Sequence, residues 1–252
     1  MLPHITKLTL LFCTIVSVGC ASVEKDSDWT AEEIHIEARK NLEAKDWEKA
    51  IDYYHKIEQR YPYAKYAEQS KLDLIYAYYN SNQLKLAIST ATDFTRLYPT
   101  HPKVDYAYYF RALAMFDTST SLLRRLSRTN PINFDTEPAK QSFSAFNELI
   151  TRFPDSEYLM EAQSRMREIL NIIAEYEINT ARFYLSQGAH VAALNRAKYV
   201  IENYPESVSV EEALGIMLSV YKNMGLVVLY ADTRRVLDQN FPTSIYLSLD
   251  TK

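Results

Sequence analysis

The sequence predicts an all-α fold, a right-handed α-solenoid of about five helix-turn-helix repeats. Three observations predict it. An aromatic residue followed by proline recurs along the chain, as Tyr61-Pro62, Tyr98-Pro99, Phe153-Pro154, Tyr204-Pro205 and Phe241-Pro242. The prolines lie 37, 55, 51 and 37 residues apart. Two of these intervals are close to one helical hairpin repeat of about 34 residues, and two are that unit with roughly 15 to 20 residues added. Between the pairs, apolar residues recur at i, i+4 and i+8, as in Ile34, Ala38 and Leu42, the spacing of one helix face. Glycine, finally, occurs only 4 times in 252 residues, leaving few places for hairpins or positive-φ turns. The aromatic-proline pairs punctuate the fold: proline resists continuing a helix, and the aromatic before it fills the gap between repeats.

Residues 1–19 read as a signal segment, with Lys7 ahead of an apolar run from Leu8 to Val18 that is too short to span a bilayer. The run ends in Ser17-Val18-Gly19-Cys20. Small residues before a cysteine resemble a bacterial lipobox, although Ser17 stands where leucine is usual. On that reading Cys20 is acylated and the chain is anchored through its lipid, since each buried CH₂ contributes about 0.8 kcal/mol. Ala21, rather than aspartate, favours the outer membrane. The alternative is an ordinary secretory signal with Cys20 incidental. Residues 20–29 are a short polar tether, and Thr30 is placed to cap the first helix.

Residues 30–155 form amino-terminal repeats one to three. Repeat one runs from Thr30 to Tyr61, with a turn at Lys45-Asp46 and small Ala38 and Ala50 where paired helices approach, as tetratricopeptide-like repeats require. Repeat two runs from Ala64 to Tyr98 and turns at Asn80-Ser81-Asn82. Repeat three opens after Pro102, is interrupted by an insertion at 117–136 read as a loop with a short helical piece, and resumes from about Glu137 to Phe153. Residues 156–245 form repeats four and five. Ser156 is the expected N-cap of a lengthened helix, because no breaker precedes Gly188, which suits a helix C-terminus. Repeat five turns at Gly225, and the tail after Phe241 is expected to fray.

Composition excludes several functions. Both cysteines lie in the first 20 residues, so the body has no disulfide, cysteine-zinc site or thiol nucleophile. The five histidines are scattered without metal-ligand spacing, so no metal and no cofactor beyond the lipid on Cys20 is expected. No glycine-rich phosphate loop exists. The adjacent carboxylates Glu32-Glu33 and Glu211-Glu212 project about 100° apart on a helix and suit helix N-termini better than acid-base catalysis. An enzyme is therefore not expected. A net charge of −4 with dispersed basic residues argues against nucleic acid.

Recognition by a helical surface remains. Tyrosine occurs 20 times, concentrated in repeats one to three. Tyr63, Tyr66, Tyr78 and Tyr108 are the candidates for receiving a peptide, because tyrosine combines apolar area with a hydroxyl at low entropic cost. The competing role for each is packing between repeats. Arg196, between inward Leu194 and Ala197, is either an ordinary surface arginine or a clamp for an acidic partner group.

The runs RYPYAKYAEQSKLDLIYAYY and RLYPTHPKVDYAYYFRAL, together with the lipobox-like signal and the five repeats, resemble the BamD (ComL-like) family of outer-membrane assembly lipoproteins. The resemblance covers nearly the whole chain. It implies a non-enzymatic lipoprotein of the β-barrel assembly machine, on the periplasmic face of the outer membrane. It implies that the amino-terminal repeats meet the targeting signal of unfolded barrel proteins and that the carboxy-terminal repeats bind a POTRA domain of the insertase BamA, with BamC and BamE as further candidate partners. Arg196 matches a family arginine linked to BamA, and Arg96 and Asp105 match the region of partner contacts. Charge reversal at Arg196 is expected to weaken insertase coupling more than it unfolds the protein. The alternative function is a tetratricopeptide adaptor for cell-wall synthesis or division, against which the absence of a sustained heptad run counts.

Overall fold

The computed structural model describes residues 28–126 and 135–249, with backbone alone for 121–126 and 249. The expected signal segment, Cys20, the tether up to residue 27 and residues 127–134 of the insertion lie outside the described residues. Eleven helices are described: α1 Ala31–Glu43, α2 Trp47–Arg60, α3 Ala67–Asn80, α4 Leu84–Leu97, α5 Val104–Leu126, α6 Glu137–Arg152, α7 Leu159–Ser186, α8 His190–Asn203, α9 Val210–Asn223, α10 Val227–Asn240 and α11 Ile245–Leu249. Each helix from α1 to α10 packs on the next, and α3, α5, α7 and α9 also touch in series. The odd-numbered helices thus form a continuous layer, and the whole is a helical-repeat solenoid.

The first helix begins with a capping box. The Thr30 hydroxyl accepts from the Glu33 N–H, and the Glu33 carboxylate accepts from the Thr30 N–H at 2.8 Å. Thr30→Ala is expected to destabilise α1 by about 1 kcal/mol. Hydrogen exchange should speed in α1 and remain unchanged beyond α4, because repeats couple chiefly to their neighbours.

Two turn types then alternate. Within four hairpins, Lys45, Asn82, Gly188 and Gly225 occupy the left-handed region at φ 60°, 61°, 73° and 67°. These are the turns that the sequence pattern marks. Between repeats, Tyr61, Tyr98, Phe153, Tyr204 and Phe241 are the C-caps of α2, α4, α6, α8 and α10, each with its N–H donating to the carbonyl four residues back. Two successive turns follow each pair before the next helix, as at Ala64 N–H to Tyr61 and Ala67 N–H to Ala64. The next helix therefore does not start at once after the proline.

Three expectations are corrected. Residues 117–120 are not a loop; α5 continues through them to Leu126, taking in the short helical piece expected around Ser121 to Leu126. Its polar stretch satisfies itself within the helix, the hydroxyls of Thr118, Ser119 and Thr120 donating to backbone carbonyls of Ala114 and Phe116. Ser156 is not the N-cap of α7. Tyr158 holds that position, and the Ser156 hydroxyl is engaged by Asp105 and by the Tyr158 N–H. The tail does not fray over its first residues, because Ile245–Leu249 form α11 and Tyr246 packs on α9. The lengthened helix is as expected: α7 runs 28 residues without a break, about 42 Å.

The core follows the layers. One cluster joins α1, α2 and α3 around Ile34, Tyr54 and Leu74, with Ala38 and Ala50 fully buried where helices meet. A central cluster runs from Leu72 to Tyr221 and binds repeats two to five into one body. A small third cluster, Leu214, Leu218 and Leu237, holds the last helices.

Candidate interaction surfaces

The four candidate tyrosines separate by burial. Tyr78 and Tyr108 are core residues and do not line an open groove. Tyr78 shares a 2.7 Å hydrogen bond with His55 Nε2. The Tyr108 ring packs on Phe153, with the Arg111 and Arg152 guanidiniums 4.8 and 5.6 Å from its centre. The reason is positional: α3 and α5 each have helices before and behind them, so two of their faces are covered. Tyr66 is half-buried, stacked on His35 at 4.9 Å with Lys65 across its ring. Tyr63, at the tip of the turn between α2 and α3, is 98% exposed. Of the four, Tyr63 and the outer part of Tyr66 are accessible.

Other tyrosines are consumed by the scaffold. Tyr54 donates to Asp73 at 3.1 Å and Tyr79 to Asp117 at 2.6 Å, and the Tyr109 hydroxyl lies beside the Glu161 carboxylate. Burial, then the neighbouring carboxylates, push all three hydroxyls above the ordinary phenol range, so they stay protonated donors. Tyr79 and Tyr109 bridge successive odd-numbered helices, α3 to α5 and α5 to α7. Arg182 on α7 reaches Glu212 on α9 in the same way. These bonds fasten the continuous layer at each step.

The three partner candidates occupy different settings. Arg96, on the exposed side of α4, pairs with Asp93 at 2.8 Å. Asp105, in the first turn of α5, accepts from Ser156 Oγ at 2.6 Å and so ties repeat three to repeat four. It also borders a concavity of about 350 Å³ with Asp73, Lys103, Tyr106 and Tyr158. Arg196 on α8 donates from Nη1 to Glu177 Oε2 on α7 at 2.9 Å. The Glu177 side chain is 9% exposed and that of Arg196 44%. Arg196 is the counter-ion of a buried carboxylate, with its other edge open to solvent.

One surface was not singled out from the sequence. Met224, Leu226, Val227, Val228 and Leu229 are all exposed at the corner between α9 and α10, Val227 and Val228 at 74% each. Helix α10 buries only Thr233 and Leu237. The available signal was the unbroken run Leu226-Val227-Val228-Leu229, which lacks the polar interruptions of a one-sided helix. Five apolar side chains exposed within six residues of chain make this corner a candidate interaction surface. Among the described residues no cluster of potential metal ligands exists, and no helix is long and apolar enough to cross a membrane.

Comparison with known proteins identifies the family. Residues 27–237 match the model of the YfiO family, described as an outer membrane lipoprotein. The outer membrane protein assembly factor BamD of Neisseria gonorrhoeae is 36% identical over 241 residues, covering 96% of this chain and 90% of that protein. The protein of the same name from Vibrio cholerae is 35% identical over 240 residues, covering 95% of this chain and 97% of its own. Family match, identity and coverage together place the chain in the YfiO family of outer membrane lipoproteins, alongside the BamD assembly factors.

Proposed function

We propose that this chain is a non-enzymatic adaptor in outer-membrane protein assembly, docking on the insertase BamA through its last repeat and receiving unfolded barrel proteins through its first repeats. The single observation that carries the reading is the solvent-exposed apolar corner Met224 to Leu229 on a chain whose relatives are assembly factors. A POTRA domain is the proposed occupant. The turn at Tyr63 and Tyr66, at the other end of the solenoid, meets the extended targeting signal, whose terminal aromatic can stack there. Acylation of Cys20 holds the chain on the periplasmic face of the outer membrane. Arg96 and the solvent edge of Arg196 contribute partner contacts. Asp105 acts through the angle between repeats three and four, which its bond to Ser156 sets. BamC and BamE are further partners where they occur, and nucleic acid is not one.

The test is affinity purification of the lipidated protein from detergent-solubilised envelope, followed by mass spectrometry. A POTRA-bearing barrel insertase is expected in near-stoichiometric amount. Recovery of cell-wall synthases in its place would reject the reading. In addition, Tyr63→Ala should weaken binding of a peptide with a carboxy-terminal aromatic by about tenfold. It should leave thermal stability unchanged, because the ring touches almost nothing.

A further inference from the structure

Gly215 lies inside α9, where glycine disfavours a helix relative to alanine. A close contact explains it. A Cβ at this position would stand 2.4 Å from Cγ and Cδ1 of Tyr246 and 2.8 Å from Cδ2. The Tyr246 ring therefore rests on the bare backbone of α9.

This contact belongs to a series. Tyr66, Tyr158 and Tyr246 each stand four residues after the proline of an aromatic-proline pair. Tyr66 stacks back on His35 of the preceding odd-numbered helix, and Tyr158 stacks back on Tyr109 at 4.4 Å and 14°. Tyr109 stands ten residues after Pro99, and Gly215 ten after Pro205. Tyr246 thus meets α9 in the register in which Tyr158 meets α5. Residues 242–249 reproduce the opening turn of a repeat, with the aromatic pair replaced by ring on glycine.

The contact matters because α10 is held weakly. The small third cluster has only three buried members, and Tyr246 and Leu247 of the tail pack against it. Helix α11 touches both α9 and α10. We propose that Tyr246 is a positioning residue for the carboxy-terminal docking surface: seated on Gly215, the tail clamps α10 to α9 and fixes the corner that carries Val227 and Val228. This rests on the reading of that corner as the insertase-docking surface.

The test uses the full chain and the isolated POTRA domains of the insertase. Gly215→Ala and Tyr246→Ala should each weaken binding by about tenfold, and the double variant should be no worse than either, because both remove one contact. Amide exchange in α10 should speed in all three. Tyr246→Phe, which keeps the ring, should behave as the wild type. The sign for Gly215→Ala is diagnostic: helix preference alone would make it stabilising, whereas eviction of the ring loosens α10. Unchanged binding in Gly215→Ala, or additive losses in the double variant, would overturn the proposal. Val228→Asp separates the two readings. If it loses the POTRA domains while Gly215→Ala keeps them, the clamp fails and the docking surface stands. If it binds as the wild type, the docking surface fails, and the clamp's role in docking with it.

Discussion

Arg196→Glu lowers the stability of the carboxy-terminal half by about 2 kcal/mol, because it sets a second carboxylate beside one that is already buried. In the wild type the 2.9 Å bond from Arg196 neutralises Glu177, whose side chain is almost wholly shielded from water. Removing one partner of a fully buried pair costs about 3–5 kcal/mol. Arg196 is nearly half exposed, and water screens part of the loss, so the cost falls below that range, to about 2 kcal/mol. Denaturant unfolding followed with hydrogen exchange in α7 and α8 measures it. Adding Glu177→Gln to Arg196→Glu should recover at least half of the loss, since the repulsion is gone. The sequence reading expected charge reversal here to disturb insertase coupling more than folding. The ion pair means that charge reversal acts on folding as well, because the variant attacks the packing of α7 on α8. A neutral pair, Glu177→Gln with Arg196→Gln, is the cleaner probe of a contact between Arg196 and a partner.

Val228→Asp is expected to reduce affinity for the POTRA domains at least about a hundredfold, with little change in the stability of the free chain. Val228 is 74% exposed, so an aspartate there stays hydrated before binding. On binding it would have to enter an apolar contact without a partner, and an unpaired charge in such a place costs several kcal/mol. The neighbouring apolar residues Leu226, Val227 and Leu229 would lose their close fit with it. Titration of the POTRA domains by calorimetry, with circular dichroism melts of the free variant, reads both quantities. A loss of stability matching the loss of affinity would mean that Val228 supports the fold rather than the contact.

Most of the fold was legible because its signals are local. Proline after an aromatic, positive-φ residues at Lys45, Asn82, Gly188 and Gly225, and the missing breaker before Gly188 each act within one turn of chain. What failed depended on tertiary partners. Asp117 and the following hydroxyl residues look like a loop until Tyr79 and the backbone of α5 satisfy them. Ser156 resembles an N-cap, but a further turn separates it from α7, and its Oγ accepts from the Tyr158 N–H within that turn while donating to Asp105. Tail residues look frayed until Tyr246 finds the space left by Gly215. The candidate surfaces were less legible for the same reason. Tyrosines four positions or fewer from one another, such as Tyr63 and Tyr66, differ in exposure because one sits on a turn tip and the other on His35. Arg196 was located correctly at the margin of a packed face, but its buried partner lies 19 residues away on another helix.

On the proposed function, one solenoid carries two separate surfaces, one for a substrate peptide and one for the insertase. The most direct measurement titrates a fluorescent peptide with a carboxy-terminal aromatic onto the full chain, first alone and then with saturating POTRA domains. Both should bind together, with Tyr63→Ala weakening only the peptide and Val228→Asp only the POTRA domains. Competition between the two, or loss of both ligands in either variant, would contradict the account.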